Sequence, residues 1–142
     1  MADVAVVRKR VKTAIEQARR DQAERRGRVT EATKAYDAFL ESAAIPVFKM
    51  FANILKSEGL HFEVMTPAGG ARLQSERQRD DSIELELDTA ANPPQPMVTI
   101  TRVRGSRIVQ SDRPIKGSTP LAQLTEDDVI EVLLEELRPW LL

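Results

Sequence analysis

At Leu60 the hydrophobic period of this chain changes from between three and four residues to two. That switch separates a helical half from a β half and predicts an α+β fold. Upstream, Val4, Val7, Val11, Ile15 and Ala18 recur at helical spacing. The stripe fades at Gln22 and Arg25 and resumes at Val29, Ala32, Tyr36, Phe39 and Ala43. Gly27 sits in the fade. A single glycine costs a helix about 1 kcal/mol relative to alanine, and a helical hairpin usually has more than one breaker. The spacing therefore predicts one helix over about 2–44, roughly 65 Å long.

Pro46 lacks an N–H and biases Ile45 away from helical angles, so a kink or short break is expected there. A second helix is expected from Pro46 to about Ser57, with Gly59 in the left-handed position past its end.

From Leu60 onward, Phe62 and Val64 alternate with His61, Glu63 and Met65. The turn at Pro67-Ala68-Gly69-Gly70 precedes an expected strand over 71–78. A turn at Arg79-Asp80-Asp81 then leads to a strand over 82–89, where Ile83, Leu85 and Leu87 oppose Glu84, Glu86 and Asp88. The run Asn92-Pro93-Pro94-Gln95-Pro96 reads as loop, excluded from a sheet interior. Strands over 97–104 and 107–113 flank Gly105-Ser106, a hairpin signal. Short connections imply an antiparallel meander of about five strands. Thr125 is positioned to cap a last helix with Val129, Ile130, Leu133, Leu134 and Leu137 on its apolar side. Pro139 is expected to stop it, and the tail from Trp140 to dock.

The expected organisation is a long, partly extended helix over 1–45 and a compact helix–meander–helix domain over 46–142. The sheet has one apolar face, which the 46–57 and 125–138 helices can cover. That leaves Val4, Val7, Val11, Ile15 and Ala18 without an intramolecular partner. A narrow aliphatic stripe on a long helix usually finds a second helix. Self-association, most simply as a dimer, is the resulting expectation.

Charge divides at the same place as period. Residues 1–59 hold 12 Lys+Arg and 8 Asp+Glu, whereas residues 60–142 hold 9 and 14. The basic excess lies in Arg8, Lys9, Arg10, Lys12, Arg19, Arg20, Arg25, Arg26 and Arg28, interrupted by Glu16, Asp21 and Glu24. These cations can follow a phosphate backbone or meet an acidic partner. The plainer reading is a solvated helix face with Glu16–Arg20 and Asp21–Arg25 pairs. The last helix carries the opposite excess between Glu126 and Glu136. Arg8–Arg28 of one chain meeting Glu126–Glu136, or another protein, is the expected polar rim of an association surface.

Positive support for an enzyme is missing. With no cysteine, thiol nucleophiles, zinc thiolates and disulfides are excluded, and a cytoplasmic location is the default expectation. His61 beside Glu63 has the elements of an acid–base pair but no nucleophile motif accompanies it. Asp80, Asp81, Glu84, Glu86 and Asp88 have carboxylates suited to a hard cation, yet alternation alone explains their spacing. No phosphate-binding loop or dinucleotide fingerprint occurs. No catalytic, cofactor-binding or metal-binding residue and no small-molecule substrate is therefore expected. No apolar run reads as long enough for a membrane span, and the Val/Ala-rich stripe lacks the Trp, Phe and Leu of an interfacial anchor. The start of the chain places apolar residues before charges, unlike a secretory signal.

No family motif is present. The helix–meander–helix order is similar in architecture to that of small bacterial nucleoid-associated proteins. This likeness implies the alternative to a protein-interaction module, a dimer that binds nucleic acid through its basic helix.

Overall fold

The computed structural model describes residues 3–141. A single helical run extends from Val4 to Ser57. Its first part, α1 (Val4–Phe39), passes through Gly27 without interruption, and Asp3 caps it by accepting the Ala5 N–H at 2.9 Å. The helix is not broken at Pro46 itself; the irregularity expected there lies just upstream. The chain widens into a π-helical turn, Leu40–Ala44, and resumes as α2 (Ile45–Ser57). Ile45 N–H bonds to the Leu40 carbonyl, five residues back, so the missing Pro46 donor is absorbed by a bulge while the helix continues. At the far end, Leu60 N–H bonds to the Leu55 carbonyl and Gly59 N–H to that of Lys56. Gly59, at φ +86°, takes the left-handed position that this Schellman closure requires.

The sheet is an antiparallel meander in the order β1 (Phe62–Met65), β2 (Gly70–Ser75), β3 (Ser82–Asp88), β4 (Gln95–Arg104) and β5 (Arg107–Pro114). Gly105 at φ +63° turns β4 into β5, where Arg104 faces Arg107. β2 ends earlier than alternation implied. Beyond Ser75 the chain turns through a Gln78 N–H bond to Ser75 Oγ, while Glu76 N–H reaches the His61 carbonyl. Gln95 and Pro96, read as loop, open β4. Pro96 pairs with Leu87 on β3, but pairing with β5 begins only at Met97, so no donor is required of Pro96 on that side.

One sheet face and one helical layer form the core. Phe62, Ala71, Leu73, Ile83, Leu85, Val98 and Ile100 meet Tyr36, Phe39, Leu40, Ala43, Ala44, Val47, Phe48 and Leu55 from the helical run. Val129, Val132, Leu133 and Leu137 are added by α3 (Glu126–Leu141). Burial thus starts at Tyr36, upstream of Pro46. By length and composition alone, the Val4–Ser57 run contains a stretch apolar enough to cross a membrane. Within it Phe39, Leu40, Val47, Phe48 and Leu55 pack into the core, whereas Met50 and Ile54 are exposed. Tyr36 fixes the helix to the strand ends: its hydroxyl donates to the Gly69 carbonyl at 3.0 Å, with the Leu85 carbonyl at 3.4 Å. Burial, with Glu86 nearby, pushes the phenol well above its usual range, so it stays a donor. A Cβ on Gly70 would meet the Leu85 carbonyl oxygen at 2.7 Å, so only glycine lets these strands approach here.

Pro139 does not stop α3, which continues to Leu141. Tertiary contacts hold the last turn: Trp140 meets Phe62 edge to face at 5.9 Å, and the Arg102 guanidinium lies 5.1 Å from the indole centre. At the other end, Thr125 N–H bonds to Asp128 Oδ2 at 2.9 Å and Asp128 N–H points to Thr125 Oγ1 at 3.4 Å, a reciprocal cap.

Candidate interaction surfaces

Three surfaces are left after the core is formed: the N-terminal arm, the outer side of α3 and the open face of the sheet. The arm is the segment of α1 from Val4 to Arg28, in which every side chain is exposed. At the rise of an α-helix it is roughly 37 Å long. Val4 is 71% exposed, Val7 44%, Val11 52% and Ile15 47%, and Ala18 completes the row. Val6, outside the row, is also 55% exposed. The positions Val11, Ile15, Ala18, Gln22, Arg25, Val29, Ala32, Tyr36, Phe39 and Ala43 alternate steps of four and three. The arm's stripe is thus the upstream continuation of the face that packs on the sheet.

Arg8, Lys12, Glu16 and Arg19 border Val11 and Ile15 along a shallow surface groove. Arg10, Arg20, Arg25, Arg26 and Arg28 are exposed as well. Among the described residues, none of the arm cations lies in a salt bridge. The expected Glu16–Arg20 and Asp21–Arg25 pairs do not form, and Asp21 instead accepts from Gln17 Nε2 at 3.0 Å.

The acidic α3 is less available than its sequence implied. Glu136 pairs with Arg102 at 3.1 Å and with Arg113 at 3.2 Å. Glu135 pairs with Arg113 at 2.6 Å, and Asp128 with Lys116 at 3.4 Å. The bond to Glu135 holds the Arg113 guanidinium pKa above its ordinary value. Bonding from the Thr125 backbone holds the Asp128 carboxyl below its own. These three carboxylates belong to the fold, and Glu126, Asp127 and Glu131 remain exposed.

Among the described residues no helix covers the other face of the sheet, although Gln74 and Ser82 on it are buried. Strand pairing sets Met65, Arg72, Glu84, Thr99 and Asp112 in one row across all five strands. A second row contains Glu63, Gln74, Ser82, Thr101 and Gln110. A shallow hollow on this face is lined by Glu86, Asp88, Met97, Thr99 and Asp112, among others. Thr99 Oγ1 donates to Asp112 at 2.8 Å. Asp88 accepts Ala90 N–H at 3.0 Å, which makes it the end of a turn.

Residues singled out for chemistry disperse. Asp81 accepts the Val103 N–H at 2.8 Å, and Glu63 takes a Gln74 Nε2 bond at 3.5 Å. No hydrogen bond joins the His61 and Glu63 side chains among the described residues, nor does any group of three or more His, Asp or Glu there stand close enough to hold a metal ion. The hollow was missed because its acidic lining comes from three strands, and only Glu86 and Asp88 are close in sequence. Comparison of the chain with protein-family models, curated proteins and solved structures finds no match.

Proposed function

We propose that this chain is a non-enzymatic protein-interaction module, an oligomeric adaptor, chaperone or assembly component, that associates through its N-terminal helix. The observation carrying this reading is the row Val4, Val7, Val11 and Ile15, each at least 44% exposed and not covered by any other part of the described chain. Burying such a row releases about 25 cal/mol for each Å² removed from water, an incentive the folded monomer leaves unused. The bilayer has a weaker claim, because Val47, Phe48, Ala52 and Leu55 of α2 are buried in the core. The chain's lack of cysteine supports a reducing compartment, and the cytoplasm is the location proposed.

The test is solution mass by light scattering for the full chain and for Val11→Asp with Ile15→Asp. A dimer that becomes a monomer in the double variant supports the proposal. A wild-type monomer at high concentration sinks it.

One observation favours a second reading. Among the described residues the nine arm cations are exposed and make no salt bridge, as in a helix that follows a phosphate backbone. In that case a mobility shift appears at low salt, weakens steeply with added salt, and is lost in Arg19→Glu with Arg20→Glu.

A further inference from the structure

We infer that the open face of the sheet is the docking site for the N-terminal arm of a second copy of this chain, in a reciprocal exchange of arms. The inference rests on the self-association proposed above and names the surface that receives the arm.

Charge decides between the available surfaces. Between Arg8 and Arg28 the arm holds nine basic and three acidic residues, a net of +6. Pairing two arms would set +6 against +6, with Arg8, Lys12 and Arg19 beside the same stripe in both helices. Like charges brought together this way oppose association. On α3, half of the carboxylates are already bound to the body's own cations. The open face carries Glu63, Glu84, Glu86, Asp88 and Asp112 against Arg72 alone. Met65, Met97, Val103 and Ile108 supply apolar surface between them, and Met65 and Ile108 are 47% and 61% exposed. A helix with an aliphatic stripe bordered by arginines matches that mixture in both polarity and sign. The hollow bounded by Glu86, Asp88 and Asp112 suits the cationic end of one arm side chain.

Geometry makes the occupant a second copy. α1 leaves the body where Tyr36 bonds to Gly69 and where Arg28, Glu31 and Ala32 approach Pro93 and Pro94. The hollow, at Glu86–Ala90 and Met97, lies toward that same end of the sheet but on the opposite face. Because the helix is continuous from Val4 to Phe39, the arm has no bend with which to reach its own open face. Two copies meeting at this end can each offer an arm to the other's sheet. The exchange is reciprocal and closes as a two-fold dimer.

The absence of native cysteine allows a direct test. Full-length Ile15→Cys and Met97→Cys chains are prepared separately, mixed and oxidised. The expected product is a covalent Ile15→Cys/Met97→Cys heterodimer, exceeding either homodimer at least tenfold. Light scattering supplies the second arm. Glu86→Lys with Asp112→Lys is expected to weaken dimerisation at least tenfold, and Arg8→Glu, Lys12→Glu and Arg19→Glu in the same chain to restore it. Circular dichroism melts verify that each variant is folded. Cross-links confined to Ile15→Cys homodimers, or a dimer indifferent to charge reversal on the sheet, would overturn this docking site while leaving self-association standing. A wild-type monomer would remove both. Arm charges needed for nucleic-acid binding with no effect of the sheet charges on mass would also overturn it.

Discussion

From Tyr36 to Leu55 the long helix buries Tyr36, Phe39, Leu40, Ala43, Val47, Phe48 and Leu55 to 8% exposure or less, while from Val4 to Ile15 similar spacing leaves valines and an isoleucine 44–71% exposed. The two segments belong to one uninterrupted helical run. Periodicity cannot distinguish them, because it states which side chains share a face and not what lies opposite. Side-chain size and the reach of the sheet do distinguish them. The inner segment carries Tyr36, Phe39, Phe48 and Phe51, and its face meets strands of four to ten residues. The arm has no aromatic residue and extends past the strand ends. A helix of this kind derives most of its stability from tertiary packing, so an uncovered arm is the part that gains from a partner.

The largest effect that can break this comparison comes from paired truncations. Phe48→Ala is expected to destabilise the body by about 3–5 kcal/mol, whereas Ile15→Ala should leave monomer stability within about 0.5 kcal/mol. Thermal or urea unfolding at concentrations that hold the chain monomeric checks both. Comparable losses would mean that the arm is part of the core. Gly70→Ala tests the junction where Tyr36 anchors the helix. Its new Cβ meets backbone oxygen, which cannot swing aside, so a loss of about 1–3 kcal/mol is expected in urea unfolding.

A smaller effect concerns α3. Thr125→Ala is expected to cost about 1 kcal/mol at neutral pH through loss of the cap. The pH dependence follows from Asp128, whose carboxyl is held below its ordinary value in the folded chain. Its stabilisation is present above the ordinary carboxyl range and is lost as pH falls through the depressed folded value. The difference between wild type and Asp128→Asn should therefore be largest at neutral pH and shrink below about pH 4. Unfolding measured across that range reads it directly.

Local chemistry made much of the fold legible. Ile83, Leu85 and Leu87 alternate with carboxylates, Gly105-Ser106 marks the hairpin, and Gly59 marks the end of α2. What could not be read depends on distant partners. Pro96 is tolerated because β5 does not extend opposite it. α3 passes Pro139 where Phe62 and Arg102 receive Trp140. The same distinction applies to the surfaces. The arm's stripe and cations are consecutive features of one helix and are visible in its spacing. The hollow requires the register of β3, β4 and β5, and the loss of Asp128, Glu135 and Glu136 to internal pairs requires the docking of α3.

The coverage of the arm is tested most directly by amide hydrogen exchange along α1 at two protein concentrations. Protection of Val4–Arg28 is expected to rise with concentration while protection of α2 and the central strands stays constant. Arm amides that exchange equally fast at both concentrations would contradict an arm covered by a second copy.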